Sequence, residues 1–174
     1  MDWNTWTPRE LATLCFIRCD GRLLLIRKKR GLGAGKINAP GGRLEPGETP
    51  LEAAIRETQE EVGVTPTGLR KRGELHFQFV DGYSLHCVVF LATGCIGEPF
   101  ETDEALPIWT PDDTVPYHDM WTDDAHWLPV VLAGKCFRAW FEFDGETMLS
   151  DKVEIVEEFA ADETPASKAA ASHS

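Results

Sequence analysis

Gly42 to Val64 reads GRLEPGETPLEAAIRETQEEVGV, and the fold is decided within it. Its second half predicts an amphipathic helix. Thr49 stands at the N-cap, Pro50 at the first helical position, and Glu52 where a capping box needs its acid. Gly63 predicts the stop. Leu51, Ala54, Ile55, Val62 and small Thr58 fall on one stripe at a helical period. Glu57, Glu60 and Glu61 share a second face, roughly 120° round from the first. Like charges at this spacing cost a helix roughly 0.2–0.5 kcal/mol per pair. A solvated acidic face is the ordinary outcome of such a triplet. The other outcome is a cage for a hard cation that relieves the repulsion. Oxygen-only carboxylate donors suit Mg²⁺ or Mn²⁺, not Zn²⁺.

The spacing separates the two readings. Gly42, Glu48, Arg56-Glu57, Glu60-Glu61 and Gly63 stand at the fixed positions of a known motif. Seven matched positions arise by chance roughly once in 10⁸ starts, at about one residue in fifteen for each type. On these residues the chain resembles the Nudix hydrolases. One position departs: Thr58 stands where the family usually has an aliphatic residue, and Thr is small enough to pack there. The resemblance implies a loop–helix–loop that holds Mg²⁺, with Mn²⁺ as a substitute, on Glu57, Glu60 and Glu61. It also implies that Arg56 orients the glutamates and that Glu48 supports them from behind.

Composition bounds the rest. With 174 residues, 43% apolar and 26% charged, the chain is long enough for one domain with a real core. A net charge of −12 argues against binding a nucleic-acid polymer or an anionic membrane, and leaves a free nucleotide open. Five cysteines, with no C-x-x-C pair, point to a reduced intracellular protein. The first ten residues, MDWNTWTPRE, have neither a basic nor an apolar leader region, and the cytoplasm is the expected location.

Outside the helix, strands and turns alternate. Leu11–Cys19 and Arg22–Lys28 flank Asp20-Gly21, a hairpin signal. Lys36–Ala39 predicts a short strand after the glycine-rich loop Gly31–Gly35. Leu69–Val80 and Tyr83–Thr93 flank Asp81-Gly82, and their His76 and His86 alternate with apolar neighbours as solvent-facing residues do. Residues Gly94–Thr114 are turn-rich, with one apolar piece at Leu106–Trp109. A helix is expected from Asp124 through Leu132, with Pro129 near its first turns. Phe137–Phe143 and Thr147–Val156 pair across Asp144-Gly145. The pattern predicts an α+β domain with a mixed β-sheet between helices, and the resemblance implies the α/β/α sandwich of the Nudix fold. The expected organisation is an N-terminal arm at residues 1–10, the domain at 11–158, and a disordered tail at 159–174.

The resemblance extends past the motif. KKRGLGAGKINAPGG at 28–42, DEALPIW at 103–109, PYHDMWTDDAHWLPVVL at 116–132 and FRAWFEFDG at 137–145 are similar to the branch of the family that removes oxidised purine nucleoside triphosphates. The residues themselves suit a purine. Trp121 offers a face for stacking, worth about 1–3 kcal/mol per base. Asp123 and Asp124 can share a proton and so present a donor beside an acceptor. An acidic N-cap is the plainer account of that pair. By resemblance, Asn38, Thr13, Lys28, Phe77 and Leu85 line the base pocket. Glu104 approaches the metal site, and the Gly41 carbonyl is a ligand. The branch acts on a small nucleotide and works as a monomer. Leu32, Ile37, Leu85 and Ala39-Pro40 depart from the residues that branch carries, so the choice among oxidised guanine, oxidised adenine and alkylated guanine is open.

Overall fold

The computed structural model describes residues 1–159. The expected disordered tail, from residue 160 on, lies outside the described residues. Strands β1 (Glu10–Cys19), β2 (Arg22–Lys28), β3 (Ile37–Asn38) and β4 (Gly41–Arg43) precede helix α1 (Pro50–Val62). Then come β5 (Thr65–Thr67), β6 (Arg70–Phe79), β7 (Ser84–Ala92), β8 (Gly94–Ile96) and β9 (Ala105–Pro111). A 3-10 turn at Tyr117–Asp119 leads into α2 (Asp124–Leu132), and β10 (Cys136–Asp144) and β11 (Thr147–Val156) follow. Among the described residues no helix is long and apolar enough to cross a membrane.

Nine strands form one mixed sheet in the order β11-β10-β6-β7-β1-β2-β3, with β4 also on β1 and β9 also on β2. The pairs β1–β7 and β10–β6 are parallel, and the other pairs are antiparallel. Alternation along β1 feeds two cores. Cys15 and Ile17 pack with Leu51, Ala54 and Val62 of α1. Ala12 and Phe16 pack with Trp127, Leu128 and Val131 of α2. Each helix therefore covers one face of the sheet, and the α+β sandwich expected from the sequence is the fold observed.

Helix α1 starts and stops as its residues dictate. The Glu52 N–H donates to Thr49 Oγ1 at 3.2 Å, and the Thr49 N–H donates back to Glu52 Oε1 at 3.0 Å. Gly63 ends it at φ 77°. Thr58 is fully buried because its Oγ1 donates to the Ala54 carbonyl at 2.7 Å, which satisfies the hydroxyl inside the helix.

Three expectations change. Leu106–Trp109 is the middle of a seven-residue strand, β9, whose prolines are tolerated because, among the described residues, it pairs only with β2. The segment around Gly94 contributes β8, which pairs with β5 in a small second sheet. His76 and His86 do not face solvent. Both are half-buried, and Trp3 and Trp6 of the N-terminal arm lie over His76 with ring centroids 6.4 and 5.5 Å away. Pro129 sits in the second turn of α2, where its missing N–H leaves the Ala125 carbonyl without the usual helical donor.

Candidate active site

β1 carries the site's axis. Its Thr13 pairs with Gly42 and its Leu14 with Gly41, which brings β4 against β1 directly before α1. Both glycines are required by close packing. A Cβ on Gly41 would stand 2.1 Å from the Thr13 carbonyl oxygen, and one on Gly42 would stand 2.5 Å from Glu57 Cδ. The Glu57 carboxylate thus rests on the Gly42 backbone. Glu61 reaches the same strand, where Oε1 accepts from the Gly41 N–H at 2.8 Å.

The acidic face predicted for α1 is divided by depth. Glu61 is buried at 4% exposure, Glu57 is partly covered, and Glu60 is exposed. Burial pushes the Glu61 carboxyl up to about 8, against the Gly41 hydrogen bond. Burial also raises Glu57, opposed by its bond from Arg56. Arg56 binds the motif together. Its Nε and Nη2 donate to Glu48 at 2.6 and 2.8 Å, and its Nη1 donates to Glu57 at 2.8 Å and to Glu60 at 3.2 Å. Hydrogen bonds from Arg56 hold Glu48 below the usual carboxylate range. Glu104 ends the loop that leads into β9 and is held low by its bond to Arg30. The Thr102 hydroxyl, donating to the Glu61 carbonyl at 2.7 Å, ties that loop to α1.

On the α2 side of β1 lies an open cavity of about 580 Å³. Thr13, Asn38, Phe77, Leu85, Trp121, Asp123 and Asp124 all line it, so one pocket gathers seven of the eight residues proposed for the base. Lys28 is the eighth, and it lies outside the lining. Its Nζ donates to the Leu32 carbonyl at 2.9 Å and steadies the glycine-rich loop. Of the departing residues, Leu32 and Leu85 line the pocket, while Ile37 and Ala39 lie in the core.

Asp123 and Asp124 are 2% and 3% exposed. Asp123 does not act as a side-chain cap. Its Oδ2 accepts from Trp127 Nε1 at 2.8 Å instead. Burial raises both carboxyls, and the neighbouring Asp123 pushes Asp124 further up. Asp124 Oδ2 and Thr13 Oγ1 are buried without a hydrogen-bond partner. Such atoms in a cavity wall are where a ligand's polar groups fit.

Sequence reading missed Phe79 and Phe143, which also line the pocket and pack edge-on against Trp121 at 6.3 and 5.7 Å. Phe143 comes from β10, and no spacing in the sequence ties it to Trp121. Lys36, whose Nζ lies 5.4 Å from the Trp121 ring centroid, was also missed. Gly33 closes the glycine-rich loop over Trp121. It adopts φ 80°, and a Cβ there would stand 2.7 Å from Trp121 Nε1.

The NUDIX domain model matches residues 8–133, spanning β1 through α2. The chain belongs to the Nudix family. It is 42% identical over 151 residues to the oxidized purine nucleoside triphosphate hydrolase of Danio rerio, covering 86% of this chain and 97% of that one. The enzyme of the same description from Mus musculus is 40% identical over 152 residues, with the same coverage. An 8-oxo-dGTP diphosphatase from Escherichia coli is 48% identical over 48 residues, 28% of this chain and 37% of that one. Among solved structures, the mutator MutT protein of Bacillus halodurans superposes with a TM-score of 0.75 at 27% identity, over 83% of this chain and 97% of that one. Nudix hydrolases use divalent metal ions and split phosphoric anhydrides. In this Nudix domain Glu57 and Glu61 converge on β4, and Gly42 and Arg43 of β4 also line the pocket that holds Trp121, Asp123 and Asp124.

Proposed function

We propose that the chain hydrolyses oxidised or otherwise modified purine nucleoside triphosphates to the monophosphate and pyrophosphate, with Mg²⁺ as the metal. In the cell this removes damaged nucleotides before a polymerase uses them. The observation that carries the reading is the Asp123–Asp124 pair in the wall beside Trp121. Sharing one proton, the two buried acids would offer an O–H donor beside carboxylate acceptors. That is the complement of a purine edge with N–H donors beside an acceptor. The likeness to the zebrafish and mouse enzymes over most of both chains supports the same substrate class.

The donor set fits a hard divalent cation. Glu57, Glu60, Glu61 and the Gly41 carbonyl are all oxygen donors, and Glu61 is a buried carboxyl that accepts from the Gly41 N–H, with the Lys28 charge acting on it. These residues would hold Mg²⁺, and Glu104 would approach it from its loop. Bound there, the ion supplies charge neutralisation at the phosphates and Lewis acidity. Arg56 fixes the angle of Glu57 and Glu60 through its bonds to Glu48. Glu60 and Glu104 are the carboxylates open enough to take a proton from an attacking water. Trp121 stacks the base, the aspartates read its edge, and Asn38 and Thr13 meet its remaining polar atoms.

The deciding experiment measures pyrophosphate release in Mg²⁺ for 8-oxo-dGTP, 2-oxo-dATP, O6-methyl-dGTP and dGTP, with Glu61→Gln as the blank. A higher kcat/KM for a damaged purine, lost in the blank, is the expected result. Equal turnover of all four would keep the hydrolysis and discard the substrate. Asp124→Asn can neither share nor release a proton with Asp123, and the ranking of the four purines should change.

A further inference from the structure

The register across three strands sets Trp140 of β10 beside His76 of β6, and His76 beside His86 of β7. Glu74 lies two residues before His76 and so on the same face. One ligand atom from each of Glu74, His76 and His86 falls within 4.8 Å of the other two. The alternate residues of the same strands, Leu75, Phe77, Leu85 and Cys87, line the nucleotide pocket, so this cluster is on the opposite face of the sheet. Here the N-terminal arm covers the sheet. Trp6 Nε1 donates to Gln78 Oε1 at 2.9 Å and holds the arm down.

We propose that Glu74, His76 and His86 bind a borderline transition-metal cation, Zn²⁺ foremost, at a site separate from the glutamates of α1. Two imidazoles and a carboxylate form a three-ligand set that leaves a fourth position open. Imidazole donors favour Zn²⁺ over Mg²⁺, the reverse of the oxygen-only set on α1. His76 Nδ1 lies 2.9 Å from the Ala139 carbonyl. That contact places the proton on Nδ1 and leaves the Nε2 lone pair free, the usual outer support of a metal-binding histidine. Burial disfavours the charged form of both rings, which favours the neutral imidazole that ligates.

Glu74 is ionised. Burial opposes its charge, but bonds from Lys71 at 2.8 Å and Arg138 at 2.7 Å overcome that and hold it at about 2. Each carboxylate oxygen keeps a second lone pair, so a cation can be added without expelling either partner. The two positive neighbours oppose the ion and set its affinity below that of a closed four-ligand site. Trp3 and Trp6 pack edge-on against His76, and an ion held there would pin the arm to the sheet.

The test uses the chelator-treated full chain in excess Mg²⁺, which occupies the oxygen-only site. Zn²⁺ is titrated by calorimetry. Co²⁺ is titrated by visible absorption and by quenching of tryptophan emission, since Trp3, Trp6 and Trp140 flank the cluster. One Zn²⁺ per chain is expected, with Co²⁺ quenching at the same stoichiometry. His76→Ala and His86→Ala should each weaken Zn²⁺ by tenfold or more, while His126→Ala and Glu61→Gln bind as the parent does. Circular dichroism checks that each variant folds. If His76→Ala does not, His86→Asn, at the other histidine, carries the comparison. Equal Zn²⁺ binding by the parent and the His86 variants would overturn the site, as would an isotherm lost in Glu61→Gln. The outcome is independent of hydrolysis, because none of the three residues lines the nucleotide pocket.

Discussion

Glu61 pulls its own proton in two directions. As the proposed metal ligand it must be ionised, yet burial favours the acid and raises it to about 8. Its unfolded value is near 4.5. Between those values the folded chain binds a proton that the unfolded chain has released, so stability falls as pH rises from about 4.5 to about 8. Without divalent metal, a plot of Tm against pH should show that decline. Glu61→Gln cannot ionise and should remove the slope, and Mg²⁺ should restore stability to the parent at pH 8 but not to the variant. At Arg56 the expected effect is on rate. Arg56→Ala frees Glu48, Glu57 and Glu60 at once, and kcat should drop about 10–100-fold, the usual cost of losing the support behind metal ligands. Arg56→Lys should recover little, since an ammonium cannot span both Glu48 oxygens in one plane. Steady-state kinetics in Mg²⁺ checks both.

At the scale of elements, α1 was legible residue by residue because its signals are local. Thr49, Pro50, Glu52 and Gly63 each act within a turn of their own position, and every one does so in the structure. Thr49→Ala should therefore cost about 1 kcal/mol. In a chain of this size that is roughly 2–4 °C of Tm. The carboxylates lie beyond the first turn, so activity at 25 °C should change little. What the sequence hid was longer in range. β9 carries Pro107 and Pro111, which argue against a strand unless one knows that only β2 lies beside it. β5 and β8 are three residues each and exist through one another. His76 and His86 alternate as exposed residues do, but Trp3, Trp6 and Trp140 pack against His76, and His76 packs against His86. Phe143 reaches the pocket because β10 pairs in parallel with β6, a crossover that no local pattern encodes.

For the whole molecule, the proposed phosphate chemistry and base recognition meet at the β1–β4 pair, where Thr13, Gly42 and Arg43 all line the pocket. Thr13 on β1 lines the base pocket, and its register partner Gly42 supports the Glu57 carboxylate. The two functions share a backbone but few side chains, so they should separate by mutation. Trp121 touches only the base side, through Phe79, Phe143, Lys36 and the Gly33 turn. Trp121→Ala removes one stacking face, worth about 1–3 kcal/mol, or roughly 5- to 150-fold in kcat/KM. That loss should fall on the damaged purine, with most of it in KM. The carboxylates of α1 and the Arg56 network do not contact Trp121, so kcat at saturating substrate should stay within severalfold of the parent. Measured side by side, 8-oxo-dGTP and dGTP should converge in kcat/KM. A variant that loses kcat equally on both would mean that Trp121 holds the metal side in place, and the division of labour across β1 would not stand.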